Sequence, residues 1–292
     1  MKLVITGASG QVARRAAELV LAAVPAEDLI LATRTPETLV DFAKRGVAVR
    51  RADFASPATL RDAFAGGDRL LLVSATDLVQ RTAQHEAAIV AARSAGVRHI
   101  VYTSGLKPAS PNPAVVAPSH YATEQALARS GVAWTVLRNS LYADYQLPEA
   151  AQALKTGELV HNRGRGKVAY VARDDCAAAA AAVLLQSGHE RVVYEITGAE
   201  SFGADDLASL YSGIGGRPVR ARALDDDAFV SALVGNATGD DDHLRYGAQL
   251  VASFGRSIRE GYMDSRTDTV AKLTGRAPRT LAQTLAPLAA GT

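Results

Sequence analysis

Thr6-Gly7-Ala8-Ser9-Gly10-Gln11-Val12-Ala13 follows the apolar run Leu3-Val4-Ile5 and opens an amphipathic stretch that continues to residue 23. The order strand, glycine turn, helix is what a dinucleotide-binding unit requires. Gly7 permits the sharp turn out of the strand. Gly10 lets the backbone come close to a pyrophosphate, and Ala13 is small enough for the helix to pack on the strand. Ser9, Gln11 and Val12 lie where free backbone N–H groups and the positive end of the helix dipole would meet phosphate oxygens.

The same alternation extends outward. Apolar strands are predicted over 3–6, 29–32, 47–50, 69–73, 99–103 and 134–137, with helices over 11–23, 36–45, 57–64, 81–95 and 120–130. Ser56 before Pro57 reads as an N-cap followed by proline at the first helical position. Gly46, Gly96 and Gly131 each close a helix ahead of a strand. Strand–helix alternation with short connections predicts an α/β fold, a Rossmann-type doubly wound parallel sheet. The second half is less regular. It carries predicted helices over 148–155, 174–186, 205–213, 225–234 and 242–260, a strand over 192–196 and a closing helix–turn–helix over 267–288. The expected organisation is an NADP-binding domain over 1–140, with 168–198 returning to it. Residues 141–167 and 199–292 form a smaller, mainly helical lid or substrate region.

The end of the second strand chooses the cofactor. An NAD site places Asp or Glu there to hold the ribose hydroxyls. This strand ends Leu31-Ala32-Thr33-Arg34, while Glu27 and Asp28 precede it. Arg34 can pair bidentately with a 2′-phosphate, so NADP(H) is the expected cofactor. Asp53, after the third strand, reads either as an acceptor for the adenine amino group or as a helix cap. Ser74-Ala75-Thr76 and Thr103-Ser104, at the ends of the fourth and fifth strands, lie where ribose and nicotinamide would rest.

Composition narrows the function. The 292 residues are 48% apolar with a net charge of +2 and no basic run, which argues against nucleic acid as a partner. A single cysteine, Cys176, excludes an intrachain disulfide and any multi-cysteine metal site. No apolar run approaches a membrane span or a signal sequence, so a cytoplasmic protein is expected. The six histidines show no metal-ligand spacing, and there is no Gly-x-Ser-x-Gly elbow. No metal site is expected.

Many dehydrogenases on such a sheet use a tyrosine whose pKa is lowered by a lysine four residues later. None of the nine tyrosines here has that lysine. Tyr121 has Gln125 in its place, which supplies no charge. Hydride transfer then calls for an acceptor that is already electrophilic, a quinone or a cationic dye, with water as the proton source. Cys176 reads as a buried structural thiol. Asp174 and Asp175 read as dipole-compensating residues at a helix start.

With these residues in view, the chain resembles the NmrA-like atypical short-chain dehydrogenases, in particular their NAD(P)H:quinone oxidoreductase type 2 and triphenylmethane reductase branch. The marks are Ile5 to Gln11, Ala32-Thr33-Arg34-Thr35-Pro36, Leu71-Leu72-Val73-Ser74, Tyr102-Thr103-Ser104 and His120-Tyr121-Ala122-Thr123-Glu124-Gln125. Leu137-Arg138-Asn139, Arg173-Asp174-Asp175 and Gly188-His189-Glu190 add to them. The resemblance implies NADPH held by the glycine turn and Arg34, and nicotinamide contacts near Ser74, Thr103, Ser104 and Arg138-Asn139-Ser140. It also implies a substrate pocket beside His120, with Tyr142 and the loop around His161 over it. Ala13, Gln125 and Cys176 depart from common family residues, and the stretch Gly235 to Arg245 is unfamiliar.

His120 reads either as a hydrogen-bonding or proton-donating group with a pKa suited to neutral pH, or as a structural histidine; Asn139 and Tyr142 are the other candidate catalytic residues. Two functions fit. One is an NADPH-dependent reductase of a small quinone-like electron acceptor. The other is a non-enzymatic NADP(H)-binding redox sensor. Neither reading fixes whether the chain is a monomer or a homodimer.

Overall fold

A computed structural model describes residues 1–235 and 242–291. Nine strands occur among them: β1 Leu3–Thr6, β2 Leu29–Thr33, β3 Ala48–Arg51, β4 Arg69–Leu72, β5 His99–Gly105, β6 Ala133–Asn139, β7 Glu158–His161, β8 Val192–Ile196 and β9 Arg220–Ala223. The α-helices are α1 Gln11–Leu21, α2 Val40–Ala43, α3 Leu60–Phe64, α4 Arg81–Ser94, α5 Ala117–Arg129 and α6 Gln146–Thr156. They continue with α7 Arg173–Leu185, α8 Ala204–Gly215, α9 Asp226–Val234, α10 Asp242–Arg259, α11 Thr269–Thr274 and α12 Leu281–Leu285.

Seven strands form one parallel sheet in the order β3-β2-β1-β4-β5-β6-β8. The residues of β1, β2 and most of β4 are fully buried, as near-continuous apolar strands covered on both faces must be. The chain steps outward from β1 through β2 to β3, then returns to β4 on the other side of β1. That reversal is the switch point at which open α/β sheets take their ligands. Thr6 staples it: its hydroxyl donates to the Leu71 carbonyl (3.0 Å) and accepts from the Val73 N–H (3.0 Å).

Two cores cover the sheet faces. On one, α1 packs on the alanine-rich α7, and Ala13, Ala16, Ala17, Ala177 and Ala180 let the two helices and the strands approach closely. On the other, α3, α4 and α5 pack over Val4, Leu70 and Tyr102. A third core, around Leu154, Tyr170, Leu207, Tyr211 and Ile258, lies in the second half. The closing segment reaches both parts: Leu281 and Leu285 join that third core, while Val270 and Leu273 pack on the sheet body.

Gly46, Gly96 and Gly131 all have positive φ, as helix stops require. Three local readings need correction. Ser56 sits at the N-cap position, but its side chain makes no capping bond; the Thr59 hydroxyl instead donates to the Ser56 carbonyl and accepts from the Asp53 N–H, closing the turn. The 36–45 and 57–64 helices each begin as a 3-10 turn at their proline. The parallel pair β7–β9 had no counterpart in the sequence reading. Its strand β9 is Arg-Ala-Arg-Ala, largely exposed and without a β-branched residue, so neither periodicity nor propensity marks it.

Candidate active site

The glycine turn has the geometry its sequence predicts. Gly7 has φ +61°, a left-handed conformation that favours glycine, and the Gly10 N–H donates to its carbonyl at 2.8 Å. A Cβ on Gly10 would lie 3.2 Å from that carbonyl. Helix α1 begins with no side-chain cap and no acidic residue in its first turn. Its leading N–H groups, at Gln11, Val12 and Ala13, are therefore open to an outside acceptor. Ser9 is exposed, and its hydroxyl is met by Thr33 Oγ1 at 3.1 Å, which ties the turn to the end of β2.

Arg34 follows β2, exposed, and among the described residues it has no ion-pair partner. Arg51, in register with Thr33 on the neighbouring β3, is a second exposed cation at this edge and was missed in the sequence. Arg14, by contrast, is committed to Asp41 and stacks over Phe42. These features fit a dinucleotide with an added phosphate: open donors at the turn, uncommitted cations at the β2 edge and no carboxylate at the very end of β2. Asp53 forms an Asx turn, accepting from the Ala55 N–H at 2.9 Å.

Further along the carboxyl edge lies a cavity of about 180 Å³. Ser74, Ser104, Asn139 and Ser140 line it from the ends of β4, β5 and β6, and Tyr142, Tyr145, Phe254 and Met263 from the other side. Arg81 and His120 reach it from α4 and α5. Two buried wall atoms, Asn139 Oδ1 and Ser140 Oγ, have no hydrogen-bond partner, so the wall holds polar capacity for a ligand. The Asn139 amide donates to the Tyr142 hydroxyl at 3.4 Å. Tyr142 titrates above the ordinary tyrosine range because burial penalises its anion, so it stays protonated. Arg173 stacks on both Tyr142 and Tyr145 and pairs with Asp144, holding the two rings at the cavity.

The sequence-predicted site residues divide. Ser74, Ser104, His120, Asn139 and Tyr142 are brought together around the cavity. Thr103 and Ala75 are committed inside the protein: Thr103 Oγ1 accepts from the Ser74 N–H at 2.9 Å, and the Ala75 N–H donates to His85 Nε2 at 2.9 Å. Arg138 does not reach the cavity, because its fork is held bidentately by Glu124 at 3.0 and 2.6 Å. Glu124 also accepts from Ser104 Oγ at 2.7 Å.

The surroundings of His120 favour its structural reading over the proton-donor one. The ring is buried, Nδ1 lies 2.8 Å from the Tyr102 hydroxyl and Nε2 lies 3.5 Å from Arg81 Nη1. Burial, followed by the Arg81 and His85 charges, pushes its pKa down to about 3. His120 is neutral near pH 7 and has no imidazolium proton to give. His85 is likewise pushed down to about 3, by burial and then by Arg81. Its Nε2 accepts from Ala75, so its Nδ1–H donates to Thr123 Oγ1 at 2.9 Å.

Tyr121, the tyrosine that precedes Gln125, is 42% exposed and does not line the cavity. Cys176 is buried and its thiol is held well above its ordinary range by burial, then by Asp175, so the helix start does not activate it. Asp174 and Asp175 fall in the first turn of α7 and also anchor the closing segment: Asp175 pairs with Arg276 at 2.6 Å and accepts from the Arg279 N–H at 2.7 Å. His161, the last residue of β7, is buried, its Nδ1 accepting from the Arg163 N–H, and it does not line the cavity. Residues 236–241, the centre of the unfamiliar stretch from Gly235 to Arg245, lie outside the described residues.

The sequence reading missed Arg81, His85 and Glu124. A signal existed: Arg81, His85, Ala88, Ile89 and Ala92 recur on the buried face of α4, and Ala117, His120, Glu124 and Leu127 on that of α5. Polar residues at helical spacing on a core face mark an internal network.

Residues 7–187 match the model of a family described as NAD(P)H-binding. Quinone oxidoreductase 2 of Escherichia coli is 36% identical over 98% of each chain. The crystal structure of that NADPH-dependent enzyme complexed with NADPH superimposes with a TM-score of 0.92, at 34% identity over 98% of this chain and 99% of the other. The Citrobacter sp. triphenylmethane reductase complexed with NADP(H) gives 0.90, at 31% identity over 98% and 100%. No helix among the described residues is long and apolar enough to cross a membrane. The chain belongs to the NAD(P)H-binding family whose model it matches, and it is similar over nearly its whole length to quinone oxidoreductase 2 and triphenylmethane reductase.

Proposed function

We propose that this protein is an NADPH-dependent reductase that hands hydride to a small, conjugated, quinone-like acceptor bound in the cavity beside Asn139 and His120. The observation that carries the reading is the pairing of an open phosphate turn with a cavity that lacks a side-chain acid. At the turn, uncapped N–H groups and the free Arg34 favour a phosphorylated dinucleotide. At the cavity, His120 is neutral, Tyr142 keeps its proton and no tyrosine is paired with a lysine. The reduced nicotinamide supplies the hydride when bound. The unpartnered Asn139 Oδ1 and Ser140 Oγ are placed to accept from an amide such as the nicotinamide carboxamide, and Ser74 lies at the same wall. Without a strong general acid, the acceptor must take hydride without a side-chain proton and draw its proton from water.

The test is NADPH oxidation by the purified protein with and without 1,4-benzoquinone, and with a simple unactivated ketone such as cyclohexanone. Quinone-dependent oxidation and none with the ketone is the expected pattern. Tight NADPH binding with no oxidation by any acceptor would overturn the reading and favour a redox sensor.

A further inference from the structure

Among the described residues, Arg81 is the one charged residue that lines the cavity; no aspartate, glutamate or lysine is with it. The side chain is only 6% exposed. Its Nε–H donates to the Ala75 carbonyl at 2.7 Å, while Nη1 lies 3.5 Å from both Ser119 Oγ and His120 Nε2. Among the described residues no carboxylate forms an ion pair with it, and Nη2 has no hydrogen-bond partner. The acid that acts on it from a distance, Asp77, is committed to the N–H groups of Val79 and Gln80 at the start of α4. Burial lowers the arginine's hold on its proton, yet a guanidinium stays charged in proteins. A buried cation without an anion is costly unless a ligand supplies one.

We infer that Arg81 contacts the acceptor and stabilises the oxygen that becomes an oxyanion on hydride transfer, which makes the cavity selective for quinone-type acceptors over cationic dyes. The inference rests on the reductase reading. The quinone takes a hydride and its electron pair from the reduced nicotinamide, whose C–H bond breaks. One quinone oxygen ends as O–H and the other as C–O⁻, a hydroquinonate, and a solvent proton then completes the hydroquinone. Charge thus appears at an oxygen during the step, and a preorganised donor aimed there strengthens in the transition state. Reduction of a cationic dye runs the other way. It discharges a positive centre, and a buried guanidinium opposes binding of that centre from the start. Neutral His120 accepts from the Arg81 fork without competing for the anion, which accounts for a histidine kept uncharged beside an arginine.

The experiment compares wild type, Arg81→Gln and Arg81→Lys in four readouts. They are NADPH affinity by fluorescence titration, kcat/KM for 1,4-benzoquinone, kcat/KM for a cationic triphenylmethane dye, and calorimetric binding of 4-nitrophenolate against neutral 4-nitroanisole to the NADP⁺-loaded protein. For Arg81→Gln the inference expects an NADPH affinity within about threefold of wild type and quinone kcat/KM down about 100-fold. It also expects dye kcat/KM unchanged or raised, and the preference for 4-nitrophenolate lost by at least about tenfold. Arg81→Lys should recover most of the phenolate preference, since it returns a point charge, and it serves as the readout if the glutamine variant does not fold. A phenolate preference that survives Arg81→Gln overturns the inference. So does NADPH affinity falling in step with quinone turnover, which would make Arg81 a cofactor ligand. Wild type that oxidises NADPH with neither acceptor defeats the reductase reading instead, and Arg81 is then judged on the phenolate preference alone.

Discussion

The phosphate turn and the acceptor cavity lie on the same edge of one sheet and treat charge in opposite ways. At the turn, donors face outward. The first N–H groups of α1 are uncapped, Ser9 is exposed and Arg34 stands free in solvent. At the cavity, charge is turned inward: Glu124 is locked on Arg138 and Ser104, Arg81 is buried on a backbone carbonyl, and two histidines are held neutral. On the proposed reading, the first region grips a ligand that arrives fully charged and stays so. On that reading the second takes a ligand whose charge changes during reaction, and a low-dielectric wall with few fixed charges makes each of them count for more.

Substitutions at each region separate the two strategies. The largest effect is expected for Glu124→Ala. It strands the mostly buried Arg138 without its bidentate partner, and unfolding free energy should fall by about 3 kcal/mol in a urea titration. A loss below about 1 kcal/mol would mean that the pair is screened like a surface bridge.

Next are the histidines. The unfolded chain takes up protons near the ordinary histidine value, whereas the native protein holds His85 and His120 neutral down to about pH 3. The unfolded state therefore binds more protons below about pH 6.5, and native stability is lost as pH falls from there toward 3. Each histidine contributes at most about 2 kcal/mol of loss between pH 7 and pH 5. His85→Asn should flatten that part of the stability profile, and an unchanged slope would show that His85 is charged in the native state.

At the turn, Arg34→Glu should weaken NADPH binding at least about tenfold, or about 1.4 kcal/mol, while NADH binding changes little. Equal losses for both cofactors would remove Arg34 from the 2′-phosphate. The smallest effect is expected for Tyr121→Phe. With Gln125 in place of a lysine and the ring on the surface, kcat should change less than about twofold.

The two regions also differ in how readable they were. The turn is local: eight consecutive residues carry strand end, glycine turn and helix start, so its geometry follows from adjacent positions, down to the positive φ of Gly7. The position of Arg34 was equally legible, since it follows directly on a short, continuous apolar strand. The cavity is assembled from five chain segments between Ser74 and Met263. His120, Asn139 and Tyr142 could be named from the family resemblance, but the protonation state of His120 depends on its burial and then on Arg81 and His85, 35 to 39 residues earlier in the chain. That Arg138 belongs to Glu124 depends on α5 packing beside β6, which no local pattern encodes. In the second half, β7 and β9 pair across sixty residues with little hydrophobic alternation, so their contact is a product of tertiary packing.

Hydride transfer to a quinone in a cavity without a titrating side-chain donor is tested most directly by the single-turnover rate of NADPH oxidation by 1,4-benzoquinone, followed from about pH 5.5 to about pH 8.5, the range in which an ordinary histidine would titrate. A fast, quinone-dependent rate that stays level across the range is the predicted result. A rate that titrates with a single ionisation near neutrality and loses that ionisation in His120→Gln, or no quinone-dependent oxidation at all, would contradict the account.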